Sequence, residues 1–124
     1  MFDHVGLNVR DFETSRRFYE RALAPLGYRV VMAFDEWRAA GFGTDDKPAF
    51  WISQREPYGT GTHVAFRCED RATVHAFHEA AVAVGGADNG EPGLREQYHS
   101  TYYGAFVLDP DGNNVEAVCH ARVE

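Results

Sequence analysis

The strongest constraint on this chain is that it repeats itself. Shifting the sequence by 59 residues lays His4 on His63, Val5 on Val64, Asp11 on Asp70 and Thr14 on Thr73. The same shift lays Phe18 on Phe77, Glu20 on Glu79, Ala22 on Ala81 and Gly27 on Gly86. No gap is needed, and the identities fall where secondary-structure elements start, are capped, pack and stop. Self-similarity at a fixed period means one supersecondary unit used twice. A fold for these 124 residues has to be two similar halves packed together.

Each half reads the same way. In the first, Phe2 to Val9 alternates, with Val5, Leu7 and Val9 on one face and His4, Gly6 and Asn8 on the other, the period of a strand. Asp11 is a helix N-cap, Phe12, Ser15, Phe18, Tyr19, Ala22 and Leu26 recur at helical spacing, and Gly27 stops the helix. Strand-like runs follow at Tyr28 to Phe34, Glu36 to Phe42 and Ala49 to Ser53, and Arg55 to Gly61 reads as a linker. In the second half, Thr62 to Cys68 is the strand, Asp70 the cap, and Val74, Phe77, Ala81 and Val84 the helical stripe, ended by Gly85 and Gly86. Ala87 to Ser100, rich in Gly, Asn, Glu and Pro, reads as a long connection. The runs Gly104 to Leu108 and Val115 to Val118 flank Asp109-Pro110-Asp111-Gly112-Asn113-Asn114, a hairpin turn in which Pro110 presets one φ and Gly112 supplies a positive one. The fold class is α+β, two tandem βαβββ modules at about 1–57 and 58–124. Halves this small bury little on their own, so the two form a single domain.

Glu116 is the first residue that calls for chemistry. It sits among Val115, Ala117 and Val118, and its parity opposes Val115, Ala117 and Cys119. A lone carboxylate in an apolar strand is expensive unless something pairs with it. His4 and His63 have the same property, each lying opposite the apolar set of its strand. Two imidazoles and a carboxylate leave coordination positions open on a divalent ion, so His4, His63 and Glu116 are the candidate metal ligands. His99, Tyr102 and Tyr103, just ahead of the hairpin, are candidate acid/base groups, with Tyr98 beside them. Trp37, Arg38, Trp51 and Arg67 either shape a substrate pocket or stand as exposed strand residues. His120 shares the parity of Glu116. His75 and His78, one turn apart on the second helix, read as a solvated face.

The net charge of −7 disfavours nucleic acid and anionic membrane surfaces, and no run is long enough to span a bilayer. Cys68 and Cys119 are too few for a disulfide framework and read as small buried hydrophobes. With no basic and apolar leader at Met1 to Val5, the expected setting is cytoplasmic.

The paired βαβββ units, the His at each repeat start and the Asp109-to-Glu116 hairpin resemble the vicinal oxygen chelate superfamily over essentially the whole chain. That group includes glyoxalase I, fosfomycin-resistance transferases, extradiol dioxygenases, methylmalonyl-CoA epimerase and bleomycin-resistance proteins. The resemblance implies cupped, barrel-like mixed sheets around a cleft whose divalent metal (Fe, Mn, Zn or Ni) chelates adjacent oxygens of a small substrate. It also implies a homodimer whose sites take His4 from one subunit and His63 and Glu116 from the other. Glyoxalase I and the epimerase use a fourth ligand on the last strand of the first module, where this chain has Phe50, Trp51 and Ile52, none able to ligate. The three-ligand pattern is closer to the fosfomycin-type transferases and the dioxygenases. The alternative is a non-catalytic drug-binding protein of the bleomycin-resistance type.

Overall fold

The computed structural model describes residues 1–122, so the last two positions of the expected second module lie outside the described residues. The elements are β1 (Val5–Val9), α1 (Phe12–Leu23), β2 (Arg29–Phe34), β3 (Ala39–Gly43), β4 (Phe50–Gln54), β5 (His63–Cys68), α2 (Arg71–Ala83), β6 (Ala87–Leu94), β7 (Tyr103–Leu108) and β8 (Asn114–Cys119). They form two four-stranded sheets, ordered β1-β4-β3-β2 and β5-β8-β7-β6. In each, the first strand runs parallel to the last, and the other pairs are antiparallel. Both sheets remain open at their edges. The repeat is therefore a repeat of topology.

The repeated residues have local reasons. Asp11 accepts the Thr14 amide at 3.3 Å and Asp70 accepts the Thr73 amide at 2.8 Å, so each Asp/Thr pair closes a helix N-terminus. Phe18, Ala22, Phe77 and Ala81 are fully or almost fully buried in one continuous core drawn from both modules. Phe50 of β4 meets Phe66 of β5 edge-on at 5.3 Å within it. Each sheet thus has one face under the helices and one free of them.

Asp109 ties the modules together. It is 5% exposed, and its Oδ1 accepts the amides of Asp111 at 2.9 Å and Asn113 at 2.8 Å. Its Oδ2 accepts the Tyr19 hydroxyl from α1 at 2.6 Å and the Asn113 side chain at 3.1 Å. Asn113 in turn donates to the Gly59 carbonyl at 2.9 Å and accepts the Thr62 amide at 3.0 Å, holding the inter-module linker against the turn. Gly112 at φ 89° closes that turn.

Two expected boundaries are corrected. The third strand begins at Ala39 and not Glu36, because Asp35–Trp37 form a 3-10 turn that ends with Arg38 at φ 49°. Most of the expected loop at Ala87 to Ser100 is strand β6. It pairs with β7 through register shifts at Asp88/Gly90 and Gly90/Gly93. As the outermost strand it tolerates Pro92 and the bulges that make it look like loop in sequence.

Burial, then the Asp109 carboxylate, raises the Tyr19 phenol well above its ordinary 10.0. A neutral phenol favoured in the folded state stabilises the fold below about pH 10, and that contribution is lost as pH rises through the raised folded value. Tyr19→Phe is expected to lower stability by about 1–3 kcal/mol at neutral pH, because it removes a donor from a buried carboxylate. The variant should also lose stability less steeply than the parent above about pH 10. Urea titrations of both proteins across neutral and alkaline pH measure the two effects.

Candidate metal and substrate site

Parity and register assemble the site on the helix-free face of the second sheet. Phe66, Cys68, Val115, Ala117 and Cys119 enter the core, while His63, Ala65 and Arg67 remain exposed on the opposite face of β5. Ala65 is the register partner of Glu116, and Glu116 lies opposite Phe106 of β7. Glu116 is 1% exposed, and its Oε1 lies 3.1 Å from His63 Nε2. Its other oxygen, Oε2, accepts the Tyr102 hydroxyl.

The protonation of this pair is constrained. His63 Nδ1 lies 3.1 Å from the Asn114 carbonyl, which can only accept, so Nδ1 carries the hydrogen. In a neutral imidazole Nε2 is then a lone pair, and it faces a carboxylate oxygen at 3.1 Å. Two acceptors at that distance need a hydrogen or a cation between them: a proton carried by His63 Nε2 or by the Glu116 carboxyl, or a metal ion. A histidine whose far nitrogen is tied to a carbonyl is the arrangement that orients metal-binding imidazoles.

His4 has the same preparation. Its Nδ1 lies 2.8 Å from Asp3 Oδ1, leaving Nε2 free, and its side chain is 56% exposed. Within one chain it does not join the other two. Among the described residues no three His, Cys, Asp or Glu side chains come together as a metal-binding group.

Register also locates the first module's equivalent of Glu116. Gly6 pairs with Trp51 as Ala65 pairs with Glu116, and the repeat lays Gly6 on Ala65. Trp51 therefore stands in the carboxylate's place, and no metal donor does. Its indole lies over Gly41, where a Cβ would come within 2.9 Å of the ring, and parallels Phe34 at 6.2 Å. Met32, Phe34 and Trp37 leave this helix-free face apolar and exposed.

His63, Tyr98, Tyr102, Phe106, Asn114 and Glu116 line a hollow of about 480 Å³. The His63 ring stacks on Phe106 at 6.2 Å. Burial, then the bond to Glu116, raises the Tyr102 phenol, which keeps it a donor. Gly104 makes room for this pair, since a Cβ there would lie 3.1 Å from Glu116 Oε2 and 3.3 Å from the Tyr102 ring.

Of the three expected acid/base groups, only Tyr102 reaches Glu116. Tyr103 has the opposite parity, so its hydroxyl meets His75 of α2 at 2.6 Å and its ring lies under Arg71 at 4.5 Å. His99 accepts the Thr101 amide at 3.2 Å and meets His120 edge-on at 5.9 Å, outside the hollow. His75 and His78 are not merely solvated, because His78 bonds Asp88 at 2.8 Å and holds that carboxyl below its ordinary range. Trp37 borders a separate hollow of about 380 Å³ with Ser53, Gln54 and Arg55, and Arg38 lines none of these spaces. Sequence reasoning missed Asn114, Asp3 and Gly104. Adjacency to a ligand candidate could have flagged Asp3, but only register reveals the other two.

A larger hollow, about 530 Å³, lies at Arg67, Cys68, Glu69, His120 and Ala121. Burial, with Cys119 alongside, pushes the Cys68 thiol up to about 12, so it is no nucleophile at neutral pH. Both cysteines are buried. A thiol reagent at pH 8 is expected to leave both unmodified in the native protein and to modify both in urea, as mass spectrometry would show.

The sequence matches the family model of the Glyoxalase/Bleomycin resistance protein/Dioxygenase superfamily over residues 1–117. Among solved structures, a glyoxalase/bleomycin resistance protein from Albidiferax ferrireducens T118 is 31% identical, covering 96% of this chain and 98% of that one with a TM-score of 0.83. A glyoxalase I mutant from Zea mays is 24% identical over 94% of this chain and 46% of its own, with a TM-score of 0.70. The fosfomycin resistance protein FosX from Mesorhizobium loti is 23% identical over 96% and 91%, with a TM-score of 0.67. The last two similarities are of fold. A search of curated proteins gave no match.

Proposed function

The chain belongs to the glyoxalase/bleomycin resistance protein/dioxygenase superfamily, and on that premise we propose that it is a metal-dependent enzyme acting on a small substrate through adjacent oxygens. His4, His63 and Glu116 would hold the divalent ion. The observation that carries this reading is the pair of acceptors, His63 Nε2 and Glu116 Oε1, facing each other at 3.1 Å in an open hollow. Two imidazoles and a carboxylate suit Fe, Mn, Zn or Ni. When bound, such an ion would supply Lewis-acid polarisation of the substrate's oxygens.

The chain's own residues do the rest. The Asn114 carbonyl and the Asp3 carboxylate fix the tautomers of His63 and His4 so that both present Nε2. The rings of Tyr98, Tyr102 and Phe106 wall the hollow and favour a substrate with a flat, apolar body. Trp51 offers no carboxylate for the proton transfer that the glyoxalase reaction would ask of it, so the reaction class is nearer transferase or dioxygenase. The separation of His4 from the other ligands, and the exposed apolar face at Met32, Phe34 and Trp37, support a C2 homodimer in which His4 completes the partner's site. The two free cysteines suit a reducing cytoplasm.

A second reading is a non-catalytic binder of the bleomycin-resistance type. The net charge of −7 with an exposed aromatic face favours it, since both suit a cationic, ring-bearing drug. Elemental analysis of protein purified without chelator separates the two. A protein that holds no metal and refuses added Fe²⁺, Mn²⁺ and Zn²⁺ is the binder.

Glu116→Gln and His63→Ala are each expected to lower metal occupancy sharply with unchanged circular dichroism, and full occupancy in Glu116→Gln would rule the residue out as a ligand. The shared site is tested by complementation. When His4→Ala and His63→Ala chains are unfolded together and refolded as an equal mixture, metal binding should return to about a quarter of the parent level by counting random pairs. No return, with mixed dimers confirmed by mass, would rule out the shared site.

A further inference from the structure

Resting on the metal reading above, we infer that Tyr102 is a positioning residue whose hydroxyl holds Glu116 Oε2 so that Oε1 alone is offered to the ion, keeping a coordination position free for a second substrate oxygen. The two carboxylate oxygens already have different partners. Oε1 points at His63 Nε2 at 3.1 Å, and Oε2 accepts the Tyr102 hydroxyl. With Glu116 at 1% exposure, water is poorly placed to satisfy Oε2 in place of the phenol.

The phenol is itself held. The Tyr102 ring packs edge-on to Tyr98 at 5.0 Å and to His120 at 5.3 Å, so its hydroxyl has little freedom to leave. Gly104 lets the ring and the carboxylate meet, because any Cβ would lie 3.1 Å from Oε2. Ligating carboxylates bind through one oxygen or two, and second-sphere hydrogen bonds decide which. A substrate that grips the ion through adjacent oxygens needs two cis positions, and a Glu116 bound through both oxygens would occupy one of them. Tyr102 thus acts on the substrate through Glu116, in place of the direct acid/base role its neighbourhood suggested.

The test uses cobalt-loaded protein, read by its visible d–d absorption, and acetohydroxamate, a small chelator with adjacent oxygens. Parent protein should bind Co²⁺ and then the hydroxamate. Tyr102→Phe should retain Co²⁺, show weaker d–d bands as the coordination number rises, and bind the hydroxamate weaker by on the order of tenfold or more. Parent protein that takes no Co²⁺ overturns the metal reading and this inference with it. Cobalt binding in the parent, with identical spectra and hydroxamate affinity in Tyr102→Phe, overturns the inference alone. Loss of Co²⁺ from a folded Tyr102→Phe also overturns it, making the phenol a support of ligation itself. If Tyr102→Phe does not fold, Gly104→Ala serves instead. Its methyl crowds Oε2 away from the phenol and should produce the same spectral change, and an unchanged spectrum overturns the inference.

Discussion

A buried carboxylate with four donors around it, Asp109, is the constraint on which the rest of this molecule depends. A carboxyl group with so little solvent is costly to bury unless donors surround it, and each donor removed costs stability. Two of those donors are backbone amides of its own turn, one is the neighbouring Asn113, and one is Tyr19 of the other module. Satisfying one side chain therefore fixes the turn, the linker at Gly59 and Thr62, and the seating of α1.

The site inherits its geometry from that turn. β8 begins one residue after Asn113, which sets where Asn114 and Glu116 fall along β5. The Asn114 carbonyl then meets His63 Nδ1, and the Glu116 carboxylate meets His63 Nε2. One imidazole is held at both nitrogens by residues two apart on a neighbouring strand. The first module has the same strand pairing with a Trp in the acid's place, so similar backbones carry opposite chemistries on their helix-free faces.

What could be read from the sequence follows the range over which each property is set. Alternation along β1 and β5 is local, so the facing of His63 and of Glu116 was legible, and the repeat supplied the topology. β6 was not, because an outer strand can be built from Gly and Pro that read as loop. The side on which Tyr103 falls was not legible for a related reason. Phe106 opposes Glu116, so Gly104 and Tyr102 share its face by alternation and Tyr103 does not, but that pairing appears only once register is known. The position of His4 relative to His63 and Glu116 is set by how two sheets and two helices share a core, and no local pattern encodes it.

The bond from Tyr19 to Asp109 spans 90 residues, and β5 to β8 pairs positions 51 apart. During synthesis, α1 leaves the ribosome long before its buried phenol has an acceptor. The first module's four strands can pair early, yet the core they share with the second stays open until β7 and β8 arrive. Loop closure over such separations slows folding and prolongs exposure of apolar surface. Nascent chains stalled before the hairpin should therefore display Phe18, Tyr19 and Phe50 to chaperones, and slow synthesis of β7 and β8 would prolong that exposure.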